Sequence, residues 1–291
     1  MSLTEDDLRN IRQGYRNDTR YARFVSPQAA NVLDLMIDDE YFPGVTEPIA
    51  LYALTWLLDI LRPKRVLQLG THMGFSSVVI ADMLSHHGED GRLVTVDPAE
   101  NYHTTAKEWT EKAGLRERIT FLDGFSTDPE IVRQILELGP FDFIYLDSSH
   151  MYAATLEELH LIFAEQNWMV EHGVLVLHDA ATYAQRFDPS NQGGVYRALN
   201  EWIDTYPDLY HLLILEPPLW PSQCGLGVVM RRTQTTQSSG DPLHDPNKIS
   251  EMETTIQLKN EHILRLEQLI RRLENGRLMR ILRLIKRSTA K

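Results

Sequence analysis

Cysteine is nearly absent: Cys224 stands alone among 291 residues. A lone thiol excludes an intrachain disulfide and any zinc site built from cysteine only, and it suits a reducing compartment. Its simplest role is that of a small residue beside a late strand. Long apolar runs are lacking too. The longest, Ile49 to Leu61, is too short to span a bilayer and contains Asp59. The opening MSLTEDDLRN is acidic and polar and does not read as a secretory signal. Positive charge is scarce over most of the chain. Residues 1–245 hold 18 Lys and Arg against 36 Asp and Glu, a net −18, while residues 246–291 hold 11 against 5, a net +6, which together give −12. A body this acidic repels a phosphate backbone, so nucleic acid is not an expected substrate. A cytoplasmic setting follows as the expectation.

What the chain does have is alternation. A helical N-terminal region, roughly Thr4 to Met36, leads into a second helix from about Glu47 to Leu61, which Pro63 stops. Strand-like apolar runs then follow at Arg65–Gly70, Leu93–Asp97, Ile119–Leu122, Phe141–Asp147, Val174–His178, Leu212–Leu215 and Gly225–Met230. Between them lie helical patterns at Ser76–His86, Thr104–Ala113, Pro129–Leu138, Ala153–Met169 and Val195–Tyr206. Strands alternating with helices predict an α/β, Rossmann-like, doubly wound fold with a mostly parallel seven-stranded sheet. The last two strands lack a helix between them, which predicts an antiparallel edge. Four segments result: a helical region 1–45, an α/β domain 46–232, a linker 233–248, and a tail 249–291.

The sharpest motif is VLQLGTHMGFSS, Val66 to Ser77, where a strand ends at Gly70 and Gly74 opens a helix. Ligands of open α/β sheets bind beyond the carboxyl ends of strands, near a topological switch point. Glycine at both positions allows close backbone approach. Asp97 ends the next strand, where an acid can accept the hydroxyls of a ribose. A dinucleotide fingerprint wants glycine at the first, third and sixth positions, and here the third is His72 and the sixth Phe75. An adenosyl sulfonium, a dinucleotide and a purely structural turn all remain open on these residues alone.

VLQLGTHMGFSSVVIADML resembles the first motif of class I S-adenosylmethionine-dependent methyltransferases, and the likeness extends over roughly residues 45–231. It is nearest to catechol-type O-methyltransferases and to their sugar- and antibiotic-tailoring relatives. The resemblance implies S-adenosyl-L-methionine as cofactor. It places Gly70, Thr71 and Gly74 beside the methionine part, Asp97 on the ribose, and Gly124, Phe125 and Ser126 at the adenine, with Gln68 and Ser76 also expected among the cofactor-binding residues. Thr46-Glu47 falls in the segment that covers the cofactor. Gln68 stands where the family usually carries Glu or Asp.

Transfer of a methyl group to oxygen needs the acceptor hydroxyl aligned and its proton removed, and a divalent cation on that hydroxyl helps with both. IYLDSSHMY puts Asp147 at the fourth strand's end with His150 three residues on, and GVLVLHDA puts His178 and Asp179 at the fifth. Each has a simpler reading: the acids as helix caps, the histidines as satisfied structural groups. Their convergence on one sheet edge favours a site. The resemblance implies metal ligation by Asp147 and Asp179, with His178 in place of a second acid and Ala180 in place of an amide ligand. His150 stands where the catechol type has its catalytic lysine. His150 with Asp147 is therefore the expected catalytic pair, and Asp147, His178 and Asp179 the expected holders of Mg²⁺ or Mn²⁺. A metal-free site using His150 remains the rival. The expected acceptor is a hydroxyl of a sugar, glycan or small metabolite.

Other segments are read more simply. Trp202, Tyr206 and Tyr210 suit the core. PPLWPSQCG (217–225) suits a substrate lid, and Gly193-Gly194 a flexible point before a helix. In the tail, Ile249, Met252, Ile256, Lys259, Ile263, Leu266, Ile270 and Leu273 follow the 3-4 spacing of a coiled coil. A basic amphipathic end follows, with Leu278, Leu282 and Ile285 on one stripe. Self-association through the heptads and weak contact with an anionic membrane face are the expectations there. The opposing functional reading is a non-catalytic cofactor-binding scaffold organised by this tail.

Overall fold

The structure, a computed structural model, describes residues 4–42, 44–165, 168–216 and 224–232, the side chains of 164 and 165 excepted. The linker, coiled-coil and basic-tail readings lie outside the described residues, as does most of the suggested lid.

Three helices precede the sheet: α1 (Glu5–Asn17), α2 (Pro27–Met36) and α3 (Pro48–Leu61). Thr4 starts α1 through a capping box with Asp7, and Ser26 caps α2 by accepting from the Ala29 amide. The expected continuous helical region is broken around a short 3-10 turn, Arg20–Arg23. Ser26 explains the renewed start, because its own amide and hydroxyl both donate to the buried carboxylate of Asp82 at 2.7 Å. That contact ties the N-terminal region to α4 (Phe75–His87).

The strands are β1 (Arg65–Leu69), β2 (Arg92–Asp97), β3 (Ile119–Asp123), β4 (Phe141–Leu146), β5 (Met169–His178), β6 (Tyr210–Leu215) and β7 (Leu226–Arg231). They form one seven-stranded sheet in the order β3-β2-β1-β4-β5-β7-β6. β1 to β5 run parallel, while β7 pairs antiparallel with both β5 and β6. The helices between successive strands are α4, α5 (Glu100–Lys112), α6 (Pro129–Leu138), α7 (Tyr152–His160) and α8 (Gly194–Thr205). Their packing buries both faces, and β1 and β4 carry four consecutive buried residues each, Val66–Leu69 and Phe143–Leu146.

The expected helix 153–169 is shorter than its pattern. α7 ends at His160, passes through a π turn Leu161–Glu165, and yields to β5 at Met169. β5 therefore begins five residues before Val174. Its early part is irregular, since the β4–β5 register shifts between Phe141 and Phe143. Trp202 and Tyr210 lie in the core with Phe163, as expected of them, and Tyr206 packs against it. The Gly193-Gly194 point is anchored: the Asp188 carboxylate accepts from the amides of Ser190, Gln192 and Gly194.

The order reverses at β1, where β2–β3 lie to one side and β4–β5 to the other. The crevice between the ends of β1 and β4 is the switch point where such sheets bind ligands.

Candidate active site

A cavity of about 680 Å³ opens at that crevice. This size falls within the usual range for small-molecule sites. Its wall includes Gly70 and Thr71 after β1, Asp97 after β2, Gly124–Ser126 after β3 and Asp147–His150 after β4. Four strand ends thus supply residues the sequence singled out.

The loop after β1 is built around two residues. Asp97 Oδ2 accepts the amides of Thr71 and His72 at 3.0 and 2.9 Å, and Oδ1 accepts that of Ala99 at 2.9 Å. An ionised carboxylate has about four acceptor positions, so roughly one remains for a ribose hydroxyl, fewer than the pair first envisaged. Gln68 is fully buried and does not line the cavity. Its amide nitrogen donates to the Gly70 carbonyl at 2.8 Å and to Ser76 Oγ at 2.9 Å, while its oxygen accepts from Ser77 Oγ at 2.9 Å. A carboxylate could not donate to Gly70. Gln68 is therefore a clasp that suits this loop, and its difference from an acid reflects that geometry.

Gly70 has φ +93°, and a Cβ there would sit 2.0 Å from the Asp147 carbonyl oxygen. A Cβ at Gly74 would meet that of Ala106 at 2.8 Å. Both glycines are thus required by contacts within the protein. Gly70 lines the cavity and Gly74 does not. Between them, His72 takes a left-handed φ of +49°, and its ring meets Tyr102 edge-on with centroids 4.6 Å apart. Burial lowers the pKa of His72, and its buried Nδ1 has no hydrogen-bond partner among the described residues. An orphaned polar atom behind this wall is what a site completed by a polar ligand would leave. Thr71 is fixed from below, its hydroxyl lying 2.7 Å from that of Thr95 and 2.9 Å from His103 Nε2.

The second half of the site gathers at the ends of β4 and β5. His150 Nδ1 lies 2.7 Å from Asp179 Oδ2. Asp179 is buried and has φ +58°, a left-handed setting that costs energy and turns the carboxylate toward the histidine. His178 Nδ1 lies 3.1 Å from Asp147 Oδ1 and 3.3 Å from Asp179 Oδ2, and its Nε2 lies 2.5 Å from Glu47 Oε2. Asp147 Oδ2 accepts from Thr46 Oγ1 at 2.8 Å and from the Tyr145 hydroxyl at 3.0 Å. Asp147 and His150 face the cavity, whereas Glu47, His178 and Asp179 stand behind them.

The charges shift one another. Burial opposes a charged His178, yet Asp179, Glu47 and Asp147 outweigh it and hold its pKa well above the ordinary value. The hydrogen bond that His150 donates to Asp179 raises the pKa of His150. Burial alone would raise that of Asp179, but the two imidazoles bring it down. Burial also pushes Tyr145 well up, which keeps its hydroxyl a donor.

Among the described residues, two groups could hold a cation. Asp147, His178 and Asp179 each bring one ligand atom within 4.8 Å of the others, and so do Glu47, His178 and Cys224. The first is the expected metal trio, and its two carboxylates and one imidazole fit Mn²⁺ better than Mg²⁺. Cys224 is thus nearer the chemistry than its simple reading implied.

Sequence reasoning passed over Tyr145, His72 and Glu158. Glu158 is only 2% exposed on α7. It accepts from Ser126 Oγ at 2.5 Å and from Ser148 Oγ at 2.8 Å. A signal was present: Thr155, Glu158, Leu159 and Ile162 form one buried helical stripe, and an acid within such a stripe needs a reason.

Residues 67–180 match the family described as a methyltransferase domain. Rhamnosyl O-methyltransferase of Mycobacterium tuberculosis is 29% identical over 159 residues, covering 53% of this chain and 61% of that protein. A catechol O-methyltransferase of Niastella koreensis is 31% identical over 97 residues, 33% of this chain and 42% of that one. The chain spans less than two-thirds of these curated relatives. Among solved structures, the Bacillus cereus O-methyltransferase in complex with SAH matches with a TM-score of 0.59 at 20% identity, covering 76% of this chain and all of that one. The Streptomyces achromogenes O-methyltransferase of tomaymycin synthesis, in complex with SAM, gives 0.59 at 17% identity, over 79% of this chain and all of that one. Residues 67–180 thus match a methyltransferase domain, and the sheet that carries them has the Rossmann-like fold of O-methyltransferases solved with SAM or SAH.

Proposed function

We propose that this protein is an O-methyltransferase that moves the methyl group of S-adenosylmethionine to a hydroxyl of a sugar or small metabolite. The observation that carries this reading is the His150–Asp179 pair at 2.7 Å, set on the rim of a cavity that also holds Asp97 and the loop from Gly70. An imidazole whose Nδ1–H is held by a buried carboxylate presents Nε2 as a general base, in the geometry by which bases are oriented elsewhere. The relatives named as rhamnosyl and catechol O-methyltransferases support an alcohol or phenol acceptor.

When bound, S-adenosylmethionine supplies a methyl carbon on a positively charged sulfur, which the acceptor oxygen attacks in line. His150 takes the acceptor's hydroxyl proton. Asp179 steadies the imidazolium so formed. Asp147, fixed by Thr46 and Tyr145, stands at the same rim, where it orients the acceptor. Asp97, itself fixed by the Thr71 and His72 amides, holds the cofactor's ribose end. A divalent cation, held by Asp147 and Asp179 with His178, would lower the acceptor's pKa. A second reading rests on His178, whose two ring nitrogens both face carboxylates: a doubly protonated ring balances their charge with no metal. The tail outside the described residues bears on self-association and membrane contact, and a cytoplasmic setting fits the single cysteine. Among the described residues no helix is long and apolar enough to cross a membrane.

Methyl transfer onto a panel of sugar and phenol acceptors, with Mn²⁺, Mg²⁺ or EDTA, tests the proposal. Turnover of an alcohol acceptor that collapses in His150→Ala supports it. Tight cofactor binding with no acceptor methylated favours the scaffold reading instead.

A further inference from the structure

Glu158 is the one buried acid at this cavity that the reaction leaves without a role. Its carboxylate reaches two loops at once. Ser126 Oγ, after β3, donates to Oε1 at 2.5 Å. Ser148 Oγ, after β4, lies 2.8 Å from both Oε1 and Oε2. All three residues line the cavity wall.

A serine hydroxyl has one proton and two lone pairs. Once each serine donates its hydrogen bond to the buried carboxylate, only lone pairs remain for the cavity. At these two positions, one after β3 and one after β4, the wall then offers acceptors and no hydroxyl donor. Two hydroxyls held this way accept hydrogen bonds from an amino group and meet a carbonyl oxygen with repulsion. Serines free to rotate would serve either group equally. The loop after β3 is also where the adenine end falls if Asp97 holds the ribose, since Asp97 and Asp123 end neighbouring strands in register.

We propose that Glu158 is a positioning residue that selects a 6-aminopurine cofactor, by fixing the protons of Ser126 and Ser148 so that these two hydroxyls can only accept. The inference rests on the reading of the cavity as the S-adenosylmethionine site. Burial raises Glu158 to about 7, so the carboxylate form dominates at pH 8.

The test is calorimetric titration at pH 8 of the full chain with S-adenosylhomocysteine and with S-inosylhomocysteine, which differs by an oxo group in place of the amine. The wild-type protein prefers the adenosyl compound by about 10- to 100-fold, the range expected when a buried polar group is left opposed and unpaired. In Glu158→Gln the carboxamide supplies one acceptor and one donor, so one serine turns. The preference then falls about tenfold, while the inosyl compound binds as well as before or better. Ser148→Ala reads the same wall without touching the carboxyl, and it also narrows the preference. Equal weakening of both ligands in the variants, or an unchanged ratio, overturns the proposal and leaves the cofactor site standing. If neither compound binds the wild type, the cofactor reading falls and this inference with it.

Discussion

Replacing Glu158 with glutamine should stabilise the protein at alkaline pH and do little at acidic pH. The cause is the desolvation of a carboxyl that the fold encloses on α7 beside Glu157, with Ser126 and Ser148 only partly compensating. Its pKa rises from 4.5 to about 7 on folding. A raised carboxyl pKa means that the folded state holds the proton more tightly than the unfolded chain does. Stability is therefore greatest below pH 4.5, declines as pH climbs from 4.5 to 7, and is fully diminished above that. At about 1.4 kcal/mol for each tenfold in proton affinity, the whole effect is roughly 3 kcal/mol, of which about 2.5 kcal/mol falls between pH 5 and pH 8. Glutamine has the same shape and no charge to desolvate. Urea unfolding of wild type and Glu158→Gln at pH 5, 6, 7 and 8 gives the difference at each pH, in which the other titrating groups cancel. That difference should move toward the variant by roughly 2–3 kcal/mol across the series. A flat difference would mean that the carboxyl is solvated or stays protonated throughout, and movement in the opposite direction would mean that the serines overcompensate for burial. Either result refutes the reasoning.

The remaining predictions concern the loop and the rim. His150→Ala should lower kcat by about 10²- to 10⁴-fold, as loss of a general base does, with S-adenosylhomocysteine affinity unchanged in calorimetry. Gly70→Ala should cost several kcal/mol, read as a collapse of soluble yield or melting temperature, because the new Cβ would lie 2.0 Å from a backbone oxygen. Gln68→Glu restores the residue type usual in the resembled family, yet here it sets an acceptor against the Gly70 carbonyl; a loss of about 1–3 kcal/mol in urea unfolding is expected. EDTA should abolish turnover and Mn²⁺ should restore it better than Mg²⁺. Turnover indifferent to EDTA would assign the positive charge between Asp147 and Asp179 to His178 alone.

The parts legible in the sequence were those that repeat or that sit at fixed offsets from a strand. β1, β2 and β4 announce themselves as apolar runs ending in Gly70, Asp97 and Asp147, because a strand covered on both faces has no polar period to dilute it. The antiparallel edge was legible from a missing helix between β6 and β7. β5 was read five residues short because its first part, Met169–Gly173, is irregular and half exposed, so neither period is clean. The residues expected to act as base or to hold a metal lie together at one sheet edge, though their pairing was not legible: whether Asp179 faces His150 or another group depends on a left-handed backbone at a single residue, and no spacing encodes that.

Glu158 marks the deeper limit. Its neighbours in sequence read as an ordinary amphipathic helix, and its partners lie 32 and 10 residues away on two different loops. A buried carboxyl whose ionised form is disfavoured is costly to keep. Removing it should stabilise the fold at the pH where the enzyme would work, so stability cannot be the reason it stands there. Holding two hydroxyl protons in one direction is a task that neither glutamine nor an apolar residue performs. Fold energetics and ligand chemistry thus oppose each other at this position. A variant that gains stability while losing its choice between amine and oxo would show both at once.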